Sequence, residues 1–142
     1  MPLYYSSLGL VVLSNIVYHI LQKTMPSGSS PMAVLFITYL TAAAVTLGGL
    51  LLSPADGGLA AAFAGVDWRS ALLGLAVVGL ELGFFLAYQA GWSVSTCALI
   101  ANTGVAIALL VVGALFFKEH LNAAKLAGVA LCMIGLLLVN KG

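Results

Sequence analysis

A single carboxylate, Glu81, lies near the middle of the stretch Ala71-Leu-Leu-Gly-Leu-Ala-Val-Val-Gly-Leu-Glu81-Leu-Gly-Phe-Phe-Leu-Ala-Tyr-Gln-Ala-Gly-Trp92. The other residues of this stretch are uncharged and mostly apolar, which predicts a helix that crosses a membrane. An acidic group at the bilayer centre costs about 2.5–3.5 kcal/mol on insertion scales and seldom faces lipid. We therefore expect Glu81 to face a cavity, a partner or a water path.

The composition of the whole chain also indicates a membrane protein. Of its 142 residues, 63% are hydrophobic and only 6% are charged, whereas a soluble domain carries about 25% charged residues. This predicts an all-α integral membrane protein.

The formal net charge of +1 argues against a nucleic-acid partner, because binding to nucleic acid calls for a basic surface. Cys97 and Cys132 lie in apolar segments and are expected to be small buried hydrophobes rather than a disulfide.

Five segments are long enough to cross the roughly 30 Å of bilayer hydrocarbon, which takes about 20 apolar residues. We predict one transmembrane domain over residues 1–142, with spans at residues 3–22, 31–52, 70–92, 96–117 and 123–139. The first apolar run is longer than a signal-peptide core and has no basic residues before it, so we expect it to be retained.

Local sequence signals separate these spans. Ser30 followed by Pro31 is typical of a helix start, and Asp67 and Asn122 can cap the third and fifth helices. A glycine-rich loop at 53–58 ends the second span, and a short interfacial turn is expected within 59–65. The prediction of five spans, and not four, rests on the short, nearly uncharged join at residues 91–96, which divides what could be taken for one long apolar run.

Five spans would place the two termini on opposite sides of the membrane. One side would then carry Arg69, Lys118 and Lys125, and the other Lys23 and Lys141. Orientation follows the Lys/Arg excess of the cytoplasmic loops. Three against two is a weak bias towards a cytoplasmic N-terminus, and it leaves open both a single orientation and a mixed population.

The surroundings of Glu81 on its predicted helix suggest a ligand site. At about 100° per residue, Tyr88 and Trp92 fall within about 20° of Glu81. Gly79 and Gly83 lie about 160° away and are predicted to pack against another helix. Glu81 could then exchange a proton or pair with a cationic ligand beside the aromatic rings. The alternative is a protonated glutamic acid that only donates a hydrogen bond between helices.

The first span carries a second polar face, formed by Asn15, Tyr18, His19 and Gln22 at i, i+3, i+4 and i+7. Four polar side chains on one face are expected to point inward and to line a cavity. His19 and Gln22 lie near the helix end, so they could instead reach the membrane interface.

Tyr39 of the second span and Asn102 of the fourth are further candidates for substrate contact. Asn102 could equally be a hydrogen-bonding link between helices, and the hydroxyls of Thr38 and Thr41 are expected to bond their own helix carbonyls. No nucleophile–base set, metal-ligand spacing or phosphate-binding loop is found in the sequence. We therefore predict no enzyme activity, no metal and no cofactor.

Four short motifs resemble an EamA-like module of the drug/metabolite transporter (DMT) superfamily. They are Leu13-Ser-Asn-Ile-Val-Tyr-His-Ile-Leu-Gln-Lys23, Ala87-Tyr-Gln-Ala-Gly91, Gly113-Ala-Leu-Phe-Phe-Lys-Glu119, and Lys125-Leu-Ala-Gly128 running on to Gly135. The resemblance implies one five-helix half of an inverted-repeat transporter, which in most such proteins has ten helices. It also implies export or import of small metabolites or drugs across a bacterial or archaeal cytoplasmic (inner) membrane.

A lone half can supply inverted repeats only by pairing with a second copy, so the resemblance implies an antiparallel homodimer. The related four-helix multidrug proteins carry their coupling glutamate in the first helix, where this chain has Asn15; the nomination of Glu81 therefore rests on its own physics. The expected function is secondary transport of a small cationic or amphipathic molecule. The alternative is a non-transporting subunit, or half of a heteromeric flippase that needs an oppositely oriented partner.

Overall fold

The computed structural model describes residues 2–52, 58–118 and 122–139, so most of the predicted 53–58 loop lies outside the described residues. The described part contains helices and no strand. The helices are α1 (Pro2–Lys23), α2 (Pro31–Leu52), α3 (Gly58–Phe63), α4 (Trp68–Gln89), α5 (Val94–Phe116) and α6 (Ala123–Val139). Five long helices thus occupy the five apolar segments, and the short α3 lies where a turn was expected.

Three of these helices are long and apolar enough to cross a membrane: α2, α4 and α5. The helix α1 is as long as α2 but contains Asn15, His19 and Gln22, and α6 has 17 residues. An all-helical membrane protein is therefore confirmed, while the count of five spans stays a prediction.

The helix starts follow from capping residues. Helices α2 and α6 begin directly after Ser30 and Asn122, as predicted, and the carbonyls of these two residues accept the first backbone bonds. At the start of α4, Asp67 Oδ1 accepts the backbone N–H of Arg69 at 2.9 Å. The Ser93 hydroxyl accepts a backbone N–H at the start of α5. The side chains of Asp67 and Ser93 each satisfy a donor that the first helical turn leaves unpaired.

The join between α4 and α5 contains Gly91, whose φ of +100° is strained for any residue with a Cβ. Because of this turn, α4 ends at Gln89. The predicted third span extended to Trp92, so its end was placed three residues too late.

The chain divides into two compact units. Residues 24–89 form one unit, in which α2 packs against α3 and α4. Residues 1–23 and 90–142 form the other unit, in which α5 packs against both α1 and α6. Large apolar side chains are exposed along all of the long helices, as expected of surfaces that lipid covers.

Candidate functional site

Glu81 is half-buried on α4 and lies beside Tyr39 of α2. The two side chains are near enough to interact electrostatically. The Tyr39 hydroxyl oxygen is buried and makes no hydrogen bond within the described part of the chain. A buried polar group without a partner is costly, so a ligand that bonds to this hydroxyl would be stabilised there.

An apolar slot of about 1020 Å³ extends from Tyr39 between α2 and α4. Its other lining residues are Ala43, Thr46, Val66, Ser70, Leu73, Gly74, Val77 and Val78. Tyr39 lies beside Glu81. From this end of the slot, the lining continues towards higher residue numbers along α2 and towards lower residue numbers along α4. The two helices therefore run in opposite directions along the slot.

The α4 wall of the slot runs from Ser70 to Val78, towards Glu81. Glu81 lies eleven positions after Ser70, which is about 16 Å of helix. This length is about half of the roughly 30 Å of bilayer hydrocarbon that a membrane-spanning helix crosses.

The slot walls offer few free polar groups. The Thr46 hydroxyl donates to the carbonyls of Ala42 at 2.9 Å and Ala43 at 3.1 Å, so its proton is already used. Thr38 and Thr41 donate to their own helix in the same way, which confirms the prediction for these two threonines. The remaining polar side chains are those of Ser70 and Tyr39 in the lining and that of Glu81 beside Tyr39.

The packing of α4 differs from the prediction in one respect. Gly79 and Gly83 were expected to contact another helix, but both are exposed, and a Cβ at either would meet nothing within 4 Å. The Glu81 side of α4 faces α2 instead, since Glu81 interacts with Tyr39 of α2. Tyr88, on the same side, is only 5% exposed and stacks on Phe84 with ring centroids 6.0 Å apart.

The polar face of α1 is buried only in its last turns. His19 and Gln22 are buried, and Tyr18 makes an edge-on contact with the His19 ring at a centroid distance of 5.1 Å. Asn15 is exposed. The inward position predicted for all four residues therefore holds for the end of the helix and not for Asn15.

Trp92 lies beyond the end of α4, in the turn before α5. The prediction that it shares a helical face with Glu81 is therefore wrong. Its backbone instead accepts a hydrogen bond, since the Lys23 ammonium donates to the Trp92 carbonyl at 2.9 Å. No sequence signal indicated this contact, which joins residues 69 positions apart.

Asn102 is exposed on α5, whereas its neighbour Thr103 is buried. Both line a small notch of about 180 Å³ between α5 and α6.

The two cysteines differ in exposure. Cys97 is buried, as expected, but Cys132 of α6 lines this notch and is exposed. The prediction of a buried residue is therefore wrong for Cys132. Within the described residues, no group of three or more His, Cys, Asp or Glu side chains could hold a metal ion.

Comparison with known proteins gives one match. Residues 5–141 match the EamA-like transporter family, which is part of the DMT superfamily and whose members are membrane transporters. Nothing matches among curated proteins or among solved structures. The family match covers nearly the whole chain and confirms the resemblance seen in the four sequence motifs. This all-helical, multi-pass integral membrane protein belongs to the EamA-like transporter family.

Proposed function

We propose that this protein is a secondary transporter of a small cationic or amphipathic molecule, with Glu81 as the residue that holds proton and substrate in turn. The observation that supports the proposal is that Tyr39, which lines the apolar slot, lies beside Glu81. Slots of this size, apolar with a few polar groups at one end, are typical of small-molecule sites.

The chemistry follows from the low polarity of the surroundings. A carboxylate away from water is stable when it is either protonated or paired with a cation, because an unpaired charge there is costly. Binding of a cation therefore displaces the proton of Glu81, and the arrival of a proton releases the cation. The Tyr39 hydroxyl can donate to the carboxylate or accept from the carboxylic acid, so it supports both states.

Alternating access requires two halves of opposite orientation around the site. We propose that α1, α2, α4, α5 and α6 are five spans of one domain, and that two antiparallel copies form the transporter in a bacterial or archaeal inner membrane. Tyr88 is a further proposed substrate contact in the unit that holds Glu81. The proposed substrate contacts in the other unit are Asn15, Tyr18, His19 and Asn102.

The test replaces the carboxylate by its neutral isostere. Protein reconstituted in liposomes is expected to drive uptake of the probe cation ethidium when a pH gradient is imposed. The Glu81→Gln variant should insert normally but lower gradient-driven uptake to the level of protein-free liposomes, because it can neither release a proton nor pair with the cation.

Thr41→Val is the matched control, since the Thr41 hydroxyl is bonded to its own helix and Thr41 lies outside the slot lining. This variant should transport ethidium like the unaltered protein. Gradient-coupled uptake that survives in Glu81→Gln would refute the role of Glu81. If the unaltered protein moves no probe under any gradient, the chain would instead be a subunit that needs a different partner.

A further inference from the structure

One side of α4 forms a continuous strip along the slot. Ser70, Gly74 and Val77 line the slot at i, i+4 and i+7, and Glu81 follows them at i+11. At about 100° per residue, these three positions lie within about 40° of Glu81 around the helix. The strip therefore leads from the start of α4 to the proposed charge site.

Gly74 leaves this strip without a side chain at one level of the slot. It lies seven residues before Glu81, or about 10.5 Å along the helix, and a Cβ added there would meet nothing within 4 Å. On α2, Thr46 lies seven residues after Tyr39 and also lines the slot. Because the two helices run in opposite directions along the slot, Gly74 and Thr46 lie at about the same level.

The chemistry of the slot changes along its length. Among the residues that line it, none is charged, and the polar side chains are those of Tyr39, Thr46 and Ser70. The Thr46 hydroxyl donates to its own helix, whereas the buried Tyr39 hydroxyl makes no hydrogen bond within the described part of the chain. The middle of the slot therefore favours an apolar group, and the end beside Glu81 favours a polar, positively charged one.

The length of the apolar wall indicates the size of the group that fills it. From Val78 back to Ser70, the α4 wall advances eight positions, which is about 12 Å. An extended carbon chain advances about 1.2 Å per bond, a third of the residue repeat of an extended backbone. The wall is therefore as long as a chain of about ten carbon atoms.

We infer that the substrate is a cation with one charged end and an apolar part about as long as a ten-carbon chain, and that Gly74 leaves the room in which this apolar part lies. This inference rests on the proposed function, in which Glu81 binds the charged end, and it adds the substrate class and a residue that limits substrate size. A large side chain at position 74 would fill the slot about 10.5 Å from Glu81. Short cations would still bind at Glu81, while long ones would not fit.

Binding of alkyltrimethylammonium ions to the full-length protein in lipid nanodiscs tests this inference. Isothermal titration calorimetry gives the Kd of each ion, from tetramethylammonium to decyltrimethylammonium. Gly74→Leu is expected to change the Kd of tetramethylammonium by less than about twofold and to raise that of decyltrimethylammonium by about tenfold, because the added side chain overfills the slot. Comparing two proteins at the same tail length cancels the tendency of longer ions to enter lipid.

Gly79→Leu is the matched control. Gly79 is a glycine of the same helix with equally open space beside it, but it lies outside the slot lining and about 160° from Glu81 around the helix. This variant should bind every ion like the unaltered protein. Gly74→Val, with a smaller added side chain, should weaken binding of the long ions less than Gly74→Leu does, and it keeps the test available if leucine prevents folding.

Two results would overturn this inference alone when the unaltered protein takes up ethidium in a manner that depends on Glu81. Equal weakening at all tail lengths in the position-74 variants would mean that they distort the fold, and unchanged binding of the long ions would mean that the apolar part lies elsewhere. Because binding needs no pH gradient, tail-dependent weakening without gradient-driven uptake would support this site and overturn the proposed coupling. Absence of binding of every ion to the unaltered protein would overturn both.

Discussion

At the scale of single residues, the proposed function depends on polar groups in apolar helices, and some of these groups are easier to find in the sequence than others. Glu81 could be found because a lone charge in an apolar run has few explanations. Its pairing with Tyr39 could not, because that contact depends on how α2 and α4 are aligned, and no local pattern encodes the alignment. The sequence also did not predict that Asn15 and Cys132 are exposed, because their exposure depends on how α1 and α6 pack against their neighbours.

The start of α4 offers a prediction at this scale. Asp67 accepts the Arg69 backbone N–H at 2.9 Å and also contacts the Arg69 guanidinium at 3.5 Å. Asp67→Ala should lower the free energy of unfolding in detergent by about 1 kcal/mol, the usual cost of losing a cap. Arg69→Ala removes only an exposed ion pair and should cost well under about 1 kcal/mol. Equal losses in the two variants would show that the ion pair, and not the cap, stabilises the helix start.

At the scale of helices, the sequence predicted the segments well because apolar length and capping residues are local properties. The starts of α2 and α6 agree with the prediction for this reason. The end of α4 was misplaced because Gly91 can continue a helix or end it, and only its φ of +100° decides. The packing side of α4 was also missed, since small residues permit close contact without requiring it.

Gly91 gives the prediction at this scale. Gly91→Ala should destabilise the folded protein by about 1–2 kcal/mol, because a Cβ is strained at positive φ. Gly79→Ala should instead stabilise it by about 0.5–1 kcal/mol, because Gly79 lies within α4 with open space around it and alanine is the better helix former. Unfolding in mixed micelles measures both, and a change of the same sign in the two variants would contradict the assignment of the turn.

At the scale of the whole molecule, the division into units is what the sequence alone could not predict. One unit is continuous, and the other joins the first 23 residues to residues 90–142. Which helices pack together is decided by contacts between distant segments, and the five apolar segments are too alike for their partners to be distinguished. The family match identifies the class of protein without resolving this question.

The prediction at this scale concerns orientation. A cysteine added after Gly142, in a background without Cys97 and Cys132, should be labelled by membrane-impermeant reagents from both sides of the membrane in comparable amounts. The reason is the weak charge bias of three basic residues against two. Labelling from one side only would mean that the chain alone cannot form inverted repeats, and the search for a partner would then come first.

The hydrogen bond from Lys23 to the Trp92 carbonyl has a consequence for biosynthesis. At about 5–20 residues per second, a ribosome needs about 3–14 s to extend the chain over the 69 positions between them. During that interval α1 has been synthesised, while Trp92 and the packing partner α5 do not yet exist. The packing of α1 against α5 is therefore a late step that follows synthesis of the whole unit formed by residues 24–89.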